Sequence, residues 1–482
     1  MRLQEVLSGT NIEEVSGGLG VDVKNIQFDS ALAGPGTLFV CLPGSHYDGH
    51  NYAEAAVAAG ACAVVSQRLL PVAAPQIVVK DTRRELAVMC ANLSGRPADK
   101  LTIVTVTGTN GKTSITYLLR GILKAAGIPC GVIGTLGTLV DTKKVPSTLT
   151  TPDPTQLHPL LAEMTGAGVK VCIMEASAHA IYLRKLHGIR AEVGIFTNLS
   201  QDHLDYFRTM EDYIKVKKSY FTPQNCKYAL VNSDDAAGLD ISRTSECDVL
   251  TYGEKNPADI FGVNFVNTKR GLKYVINAFD EVADVRCGLH GRFNMYNTLA
   301  AIGAARILGV PLSTCIKGIK SVSRVEGRFN VLSGERGFKV VIDYAHTPDG
   351  LKNVLEAARE MCGGRLIAVF GCGGNRDRSK RAAMGAIASK YADFCVVTSD
   401  NPRFEDPFEI MREIETGLKK QSSSYIMVEN RSRAIAYAVS SAAAGDVVIV
   451  CGKGGEDYQE IAGVKYPYND EDVVKGLLGK GG

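Results

Sequence analysis

The segment Val104-Thr105-Val106-Thr107-Gly108-Thr109-Asn110-Gly111-Lys112-Thr113-Ser114 constrains this chain more than any other. A run of β-branched residues enters a glycine-rich turn that ends in Lys-Thr. Ile115, Leu118, Leu119, Ile122 and Leu123 then recur at helical spacing up to Gly127. Strand, tight loop and helix in that order make a cradle for nucleotide phosphates. Glycines let backbone N–H groups turn onto an anion, Lys112 supplies a point charge, and a Thr hydroxyl at the helix start can ligate Mg²⁺. Gly-Lys-Thr alone is also an ordinary helix start, and the common loop pattern places glycine where Val106 stands, so the loop is a variant. The flanking strand and amphipathic helix favour phosphate binding.

At 482 residues the chain exceeds one ordinary core, and roughly two to four domains are expected. A net charge of +3 is too small to argue for nucleic acid or an anionic membrane, so small-molecule chemistry fits better. The first residues lack a long apolar core with a cleavage site, and no run of about 18 uncharged apolar residues follows. A cytoplasmic protein without membrane insertion is expected. The 13 cysteines form no C-x-x-C pair and read as small buried hydrophobes.

The expected fold class is α/β with three domains. Residues 1–96 form a small N-terminal α/β unit closing at Ser94-Gly95-Arg96-Pro97. Residues 97–327 form a central P-loop-type parallel-sheet domain, with buried strands at Val169 to Met174 and Ala191 to Thr197. Within it, Asn256 to Asp284 reads as a polar hairpin-like excursion and Asn294 to Leu308 as a helix. Residues 328–482 restart the pattern as a Rossmann-like, doubly wound domain with strands at Lys339 to Tyr344, Leu366 to Phe370, Phe394 to Thr398 and Val447 to Cys451. In open parallel sheets ligands sit beyond the carboxyl ends of the strands, so those endings are where to search.

Glu175 ends one central strand, and Asn198-Leu199-Ser200-Gln201-Asp202-His203-Leu204-Asp205 follows another. Glu175, Asp202 and His203 near the loop suggest Mg²⁺ ligation; otherwise Asp202 is a helix cap and His203 a turn residue. Thr107 to Ser114, Met174-Glu175-Ala176-Ser177-Ala178-His179, Asn198 to Asp205 and Tyr213 to Phe221 together resemble the Mur ligase family over essentially the whole chain.

The resemblance implies members that add the third peptide residue, usually meso-diaminopimelate or L-lysine, to UDP-N-acetylmuramoyl-L-alanyl-D-glutamate (UDP-MurNAc-L-Ala-D-Glu). ATP would activate the D-glutamate side-chain carboxylate as an acyl phosphate, which an amine then attacks, with Mg²⁺ and Lys112 stabilising the transferred phosphoryl group. Lys112, Glu175, His203 and Lys217 are the implied catalytic residues, Lys217 carbamylated, and Thr113, Glu175, His203 and Lys217 the implied metal set. Gly108 to Ser114 would hold ATP phosphates, with Asn294, Asn297, Arg328, Asp343 and His346 as further ATP contacts. Ser30, Ser45, His46, Tyr47, Thr150, Thr151, Ser177 and Lys185 match positions contacting the UDP-linked substrate. The chain departs from the family pattern at Ala178, Leu183, Lys185 and Gly455. A monomer is expected.

Arg376, Asp400-Asn401-Pro402-Arg403, and Gly452 with Glu456 lie just past strands of the last domain. Arg403 can grip a carboxylate bidentately, and Asp400 and Glu456 can receive an ammonium. An arginine there favours diaminopimelate, whose far end carries a second amino-carboxylate headgroup, over lysine, which would leave it unpaired. Asp-Asn-Pro-Arg also resembles the motif of diaminopimelate-adding members. The alternatives are an L-lysine-adding enzyme, a folylpolyglutamate-type ligase, and a nucleotide-binding regulator that no longer ligates.

Overall fold

The computed structural model describes residues 1–44, 47–147, 149–420 and 424–479. Its strands gather into three main sheets in sequence order and one small hairpin. In the first, Asn25–Gln27, Thr37–Val40, Ala63–Ser66 and Gln76–Val79 run parallel, and Ile12–Ser16 closes the edge antiparallel. The helix Thr82–Leu93 follows, started by Asp81, whose carboxylate accepts from the N–H groups of Arg83 and Arg84.

The second sheet has eleven strands. Its middle is parallel, from Cys130–Gly134 through Val171–Glu175, Thr102–Thr107, Ala191–Phe196, Cys226–Asn232 and Asp248–Gly253 to Ile260–Thr268. Both edges are antiparallel and flank the expected parallel core. The cause is local. The edge strands are joined by two-residue turns, such as Phe279-Asp280 with both φ values positive, and so short a connection can only reverse the chain. Gly271–Ala278 alternates between buried and half-buried along most of its length, as a strand with one covered face does, whereas Val171–Glu175 is buried throughout. The stretch expected to be an excursion therefore extends the sheet. The helices Lys112–Ala125, Arg292–Ile307 and Leu312–Ser321 pack on one face through Leu118, Leu119, Ile122, Leu299, Ile302 and Ile319.

The third sheet is parallel through Lys339–Asp343, Val447–Cys451, Leu366–Phe370, Phe394–Val397 and Ser424–Met427, with Asn330–Ser333 antiparallel at one edge. Helices Pro348–Glu360, Ser379–Tyr391 and Pro407–Leu418 cover one face, and Arg431–Ser441 and Asp470–Leu478 the other. This is the doubly wound layering expected from the sequence. The hairpin Tyr458–Ile461 with Val464–Pro467 had no counterpart in the sequence reading.

Candidate active site

Strand Thr102–Thr107 lies between Val171–Glu175 and Ala191–Phe196, so the loop after it faces both neighbouring strand ends. The loop is laced to the segment beyond Phe196. Thr109 N–H donates to Asn198 O at 2.9 Å, Asn110 N–H to Asn198 Oδ1 at 2.9 Å, and Thr197 Oγ1 to Asn110 O at 2.7 Å. Gly111 has φ 89°, and a Cβ there would stand 2.5 Å from Asn297 Oδ1, so the position requires glycine on both counts. Asn297 in turn donates to Asn294 Oδ1 at 2.8 Å, and Asn294 to His290 O at 2.7 Å. The two asparagines are thus buried in the first turns of their helix, ordered by each other and not as helix caps, beside the loop.

Lys112 Nζ lies over the loop, donating to Gly108 O at 2.9 Å and Thr109 O at 2.8 Å. Burial lowers its pKa, Glu175 and Asp202 oppose that, and Arg328 reinforces it. Glu175 is fully buried; its two oxygens accept from Thr135 N–H and Thr135 Oγ1, each at 3.0 Å. His203 has φ 57°, an uncommon conformation for a non-glycine residue, and its Nε2 is 3.3 Å from Asp202 Oδ2. Burial drives the His203 imidazole down to about 3, with Asp202 opposing and His179, Lys112 and Lys217 adding to the fall. It is therefore a neutral lone-pair donor at neutral pH. Lys217 is 1% exposed on helix Met210–Lys218, 4.8 Å from the Tyr213 ring. Among the described residues no carboxylate lies within ion-pair distance of it. Burial and Lys112 hold its pKa well below that of an ordinary lysine, against Asp202.

The third unit closes over this centre. Arg328 Nη2 donates to Thr113 Oγ1 at 3.0 Å, with its guanidinium 4.4 Å from the Tyr344 ring. Asp343 accepts from the N–H groups of Phe329 and Ala345, each at 2.7 Å, and burial raises its pKa. His346 Nε2 stands 3.7 Å and Lys380 Nζ 3.9 Å from Asp202. Burial alone would push the Asp202 carboxyl up, but His346, His203 and Lys380 hold it well below the usual range. Asn110 Nδ2 donates to Asp349 Oδ2 at 3.3 Å, and Gln201 Nε2 reaches Asp377 Oδ2 at 3.0 Å and Ser379 Oγ at 2.8 Å. Asp349, Asp377 and Lys380 were not singled out from the sequence, because nothing local marks a helix start as facing another domain. The sequence marks Asp202 beside Glu175 and His203, while His179 lies within a family motif with no role of its own. His179 packs against His203 with ring centroids 4.9 Å apart.

Thr151 Oγ1 donates to Glu175 O at 2.7 Å and accepts from Ser177 N–H at 3.1 Å, while Thr150 Oγ1 is 3.2 Å from Thr135 Oγ1. Ser177 caps its helix by accepting from Ala180 N–H at 3.2 Å. Lys185 is buried and already paired with Asp153 at 2.8 Å, so its charge is partly spoken for. Ser30 starts a short 3-10 turn and Tyr47 is exposed, both in the first unit and separate from the loop's hydrogen-bond network. Ser45 and His46 lie outside the described residues.

At the strand ends of the third sheet, Asp400, Asn401, Pro402 and Arg403 meet Gly452 and Glu456. Lys453 Nζ donates to Asn401 Oδ1 at 2.8 Å and Glu456 Oε2 at 2.9 Å, and Asn401 Nδ2 donates to Glu456 Oε2 at 3.0 Å. Arg403 Nη1 donates to Gly374 O at 2.8 Å and its Nε to Glu460 Oε2 at 3.2 Å, so part of its fork is engaged within the protein. Exposed Arg376 reaches Asp205 of the central unit at 3.5 Å. Fully buried Arg381 donates to Glu405 and Glu413 and ties the Arg376 loop to the Arg403 loop.

A glycine-rich anion loop, buried charges beside it and a second strand-end pocket reaching across to it define a nucleotide-dependent enzyme built on two stacked α/β units. The comparisons with known proteins carry this further. The Mur ligase middle domain matches residues 106–305, the Mur ligase glutamate ligase domain residues 327–454, and the Mur ligase family catalytic domain residues 22–92. A relative from Caldanaerobacter subterraneus subsp. tengcongensis, a UDP-N-acetylmuramoyl-L-alanyl-D-glutamate--2,6-diaminopimelate ligase, is 40% identical, with 99% of each chain covered. A Clostridioides difficile protein of the same name is 38% identical over 100% of both. A solved structure of a ligase of that name superposes with TM-score 0.69 at 32% identity, covering 99% of each chain. The chain belongs to the Mur ligase family. Among the described residues, no helix is long and apolar enough to cross a membrane.

Proposed function

We propose that this chain is an ATP-dependent ligase that joins meso-2,6-diaminopimelate to UDP-MurNAc-L-Ala-D-Glu, in the synthesis of peptidoglycan precursors. The observation that carries the reading is the position of the Asp400–Arg403 and Gly452–Glu456 pocket, which touches the phosphate-loop side of the molecule through Arg376 and Asp205. Residues 1–96 would hold the uridine nucleotide, 97–327 ATP, and 328–482 the amino acid.

In the first step a D-glutamate carboxylate oxygen attacks the γ-phosphorus of ATP; a P–O bond forms and ADP leaves with the electrons of the bond that breaks. In the second, an amine of diaminopimelate attacks the acyl carbon, a C–N bond forms, phosphate leaves, and the amine loses a proton. Loop amides and Lys112 hold the phosphates, and Arg328 brings a cation from the third unit. Closure of that unit keeps water from the acyl phosphate.

The donors fit Mg²⁺. The Thr113 hydroxyl, the Glu175 carboxylate and the neutral His203 imidazole surround the loop, and among the described residues no all-protein cage of three His, Cys, Asp or Glu forms. That suits an ion sharing its ligands with phosphates and water, and it would neutralise phosphoryl charge. Lys217, buried and with its pKa well below that of an ordinary lysine, is suited to carbamylation. The product would be a carboxylate facing Lys112.

The test is phosphate release by the purified protein. Release is expected only with ATP, the muramoyl dipeptide and meso-diaminopimelate together; equal release with L-lysine would overturn the amino-acid assignment.

A further inference from the structure

Behind the amino-acid pocket lies an arginine that neither the fold nor the proposed reaction accounts for. Arg431 opens helix Arg431–Ser441 and is among the largest fully buried side chains of the protein. Its Nε and Nη2 form a bidentate pair with Asp470 at 2.8 and 2.7 Å, and Nη2 also donates to Cys451 O at 2.9 Å. Its third nitrogen, Nη1, has no hydrogen-bond partner among the described residues. That nitrogen points to Asp400, 3.9 Å from Oδ2.

Asp400 has a front and a back. Oδ1 is held by Asn401 N–H at 2.7 Å, and the backbone carbonyl accepts from Gln459 Nε2 at 2.7 Å. Oδ2 lies against Gly452, where φ is 119° and a Cβ would stand 2.4 Å from that oxygen. Glycine is thus required for the carboxylate to occupy its place. The charges of the cluster do not cancel. Two cations, Arg431 and Lys453, face three carboxylates, Asp400, Asp470 and Glu456, with Glu456 bound to Lys453 and Asp470 bound to Arg431. Asp400 is left with a long contact to an already paired arginine. One net negative charge remains at the mouth of the pocket, which is what a single ammonium requires.

We propose that Arg431 is a positioning residue that holds the Asp400 carboxylate so that Oδ2 receives the ammonium of the incoming amino acid. The inference rests on the proposed reading of this pocket. Asp470, with Tyr468 O–H donating to it at 3.1 Å, fixes the guanidinium, and the guanidinium fixes Asp400 from behind. A buried cation with one free donor attracts the carboxylate without consuming both of its oxygens.

The experiment uses the full chain and steady-state phosphate release with each substrate varied in turn. Arg431→Lys keeps the charge but loses the fork. It is expected to raise KM for diaminopimelate about tenfold, the weakening of the one charge-assisted hydrogen bond that Asp400 Oδ2 offers the ammonium, while KM for ATP and kcat stay within about twofold. Asp400→Asn, nearer the surface, should raise the same constant, and the double variant should add little to the larger single effect. An unchanged KM for diaminopimelate, a parallel rise in all three Michaelis constants, or fully additive effects would each overturn the proposal. If Arg431→Lys does not fold, the double replacement Arg431→Met/Asp470→Leu, which removes both members of the bidentate pair together, carries the same test. Failure of the wild type to use diaminopimelate overturns the functional reading instead; a wild type that uses it beside an insensitive Arg431→Lys overturns only this inference.

Discussion

The phosphate loop and the amino-acid pocket recognise their ligands by opposite means. The loop presents backbone to its ligand: amides and two glycines face the phosphates, the side chains of Thr197 and Asn198 brace its shape, and Lys112 adds one charge. The pocket relies on side chains locked by other side chains, as in Lys453 with Asn401 and Glu456, Arg403 with Glu460, Arg381 with Glu405 and Glu413, and Arg431 with Asp470. A phosphate is met equally well by any set of converging N–H groups, so the loop can be short and contiguous. Distinguishing one amino acid from another requires charges fixed in space, and these come from distant parts of the chain.

The contrast can be broken at several points. Lys217→Ala should have the largest effect, a loss of turnover of at least about a hundredfold, because it removes the anion that carbamylation would supply beside the loop. Added formate or acetate should restore part of the rate, and full activity of the variant in the release assay would remove Lys217 from the mechanism. Arg403→Ala should chiefly raise KM for diaminopimelate, by about tenfold, and leave KM for ATP alone; a shift in the ATP constant instead would erase the division between loop and pocket.

Stability should separate the two regions as well. Arg381→Met leaves Glu405 and Glu413 facing a side chain without charge, and denaturant unfolding should show a loss of about 2 kcal/mol, moderated because both carboxylates reach solvent. Asn198→Ala, which frees one loop N–H, should cost only about 1 kcal/mol. Equal losses would mean that the loop depends on side chains as much as the pocket does.

Acid should act on the two units in order. In the central unit, His158 is buried with neither ring nitrogen bonded among the described residues, and burial lowers its pKa to about 4, with Arg96 adding to the fall and Asp99 opposing it. The unfolded chain takes up that proton first, so stability should fall as pH drops from about 6.5 towards 4. Glu405 and Glu413, held low by hydrogen bonds from Arg381 and Arg378, contribute stability that is complete above the ordinary glutamate pKa and is lost only below it. Unfolding curves for His158→Leu should flatten the first phase and leave the second unchanged.

The sequence is legible wherever chemistry is contiguous. Thr107 to Ser114 reads as a phosphate loop because its strand, turn and helix are adjacent, and the buried strands at 171–175, 366–370 and 447–451 read from unbroken apolar runs. Ser424–Met427 escaped because an edge strand needs no such run. The polar stretch 256–284 reads as a hairpin-like excursion, and its alternation, polar on one face, does not show that its strands join the main sheet. Arg431 could not be found: a charged residue at a helix start ordinarily faces water, and only Asp470, 39 residues later, makes its burial tolerable.

The sequence by itself determined the class of fold, the phosphate loop and the identity of the side chains at the strand ends, since each depends on neighbours within a few residues. Tertiary structure alone decided which of those side chains are free and which already have partners. Lys185 is engaged by Asp153, Arg403 by Glu460 and Glu456 by Lys453, whereas among the described residues Lys217 is buried with no counter-ion and Arg431 keeps one donor unused. The reason is physical: in a low-dielectric interior a charge is defined by what lies within a few ångströms of it, and that distance is fixed only when the chain has folded.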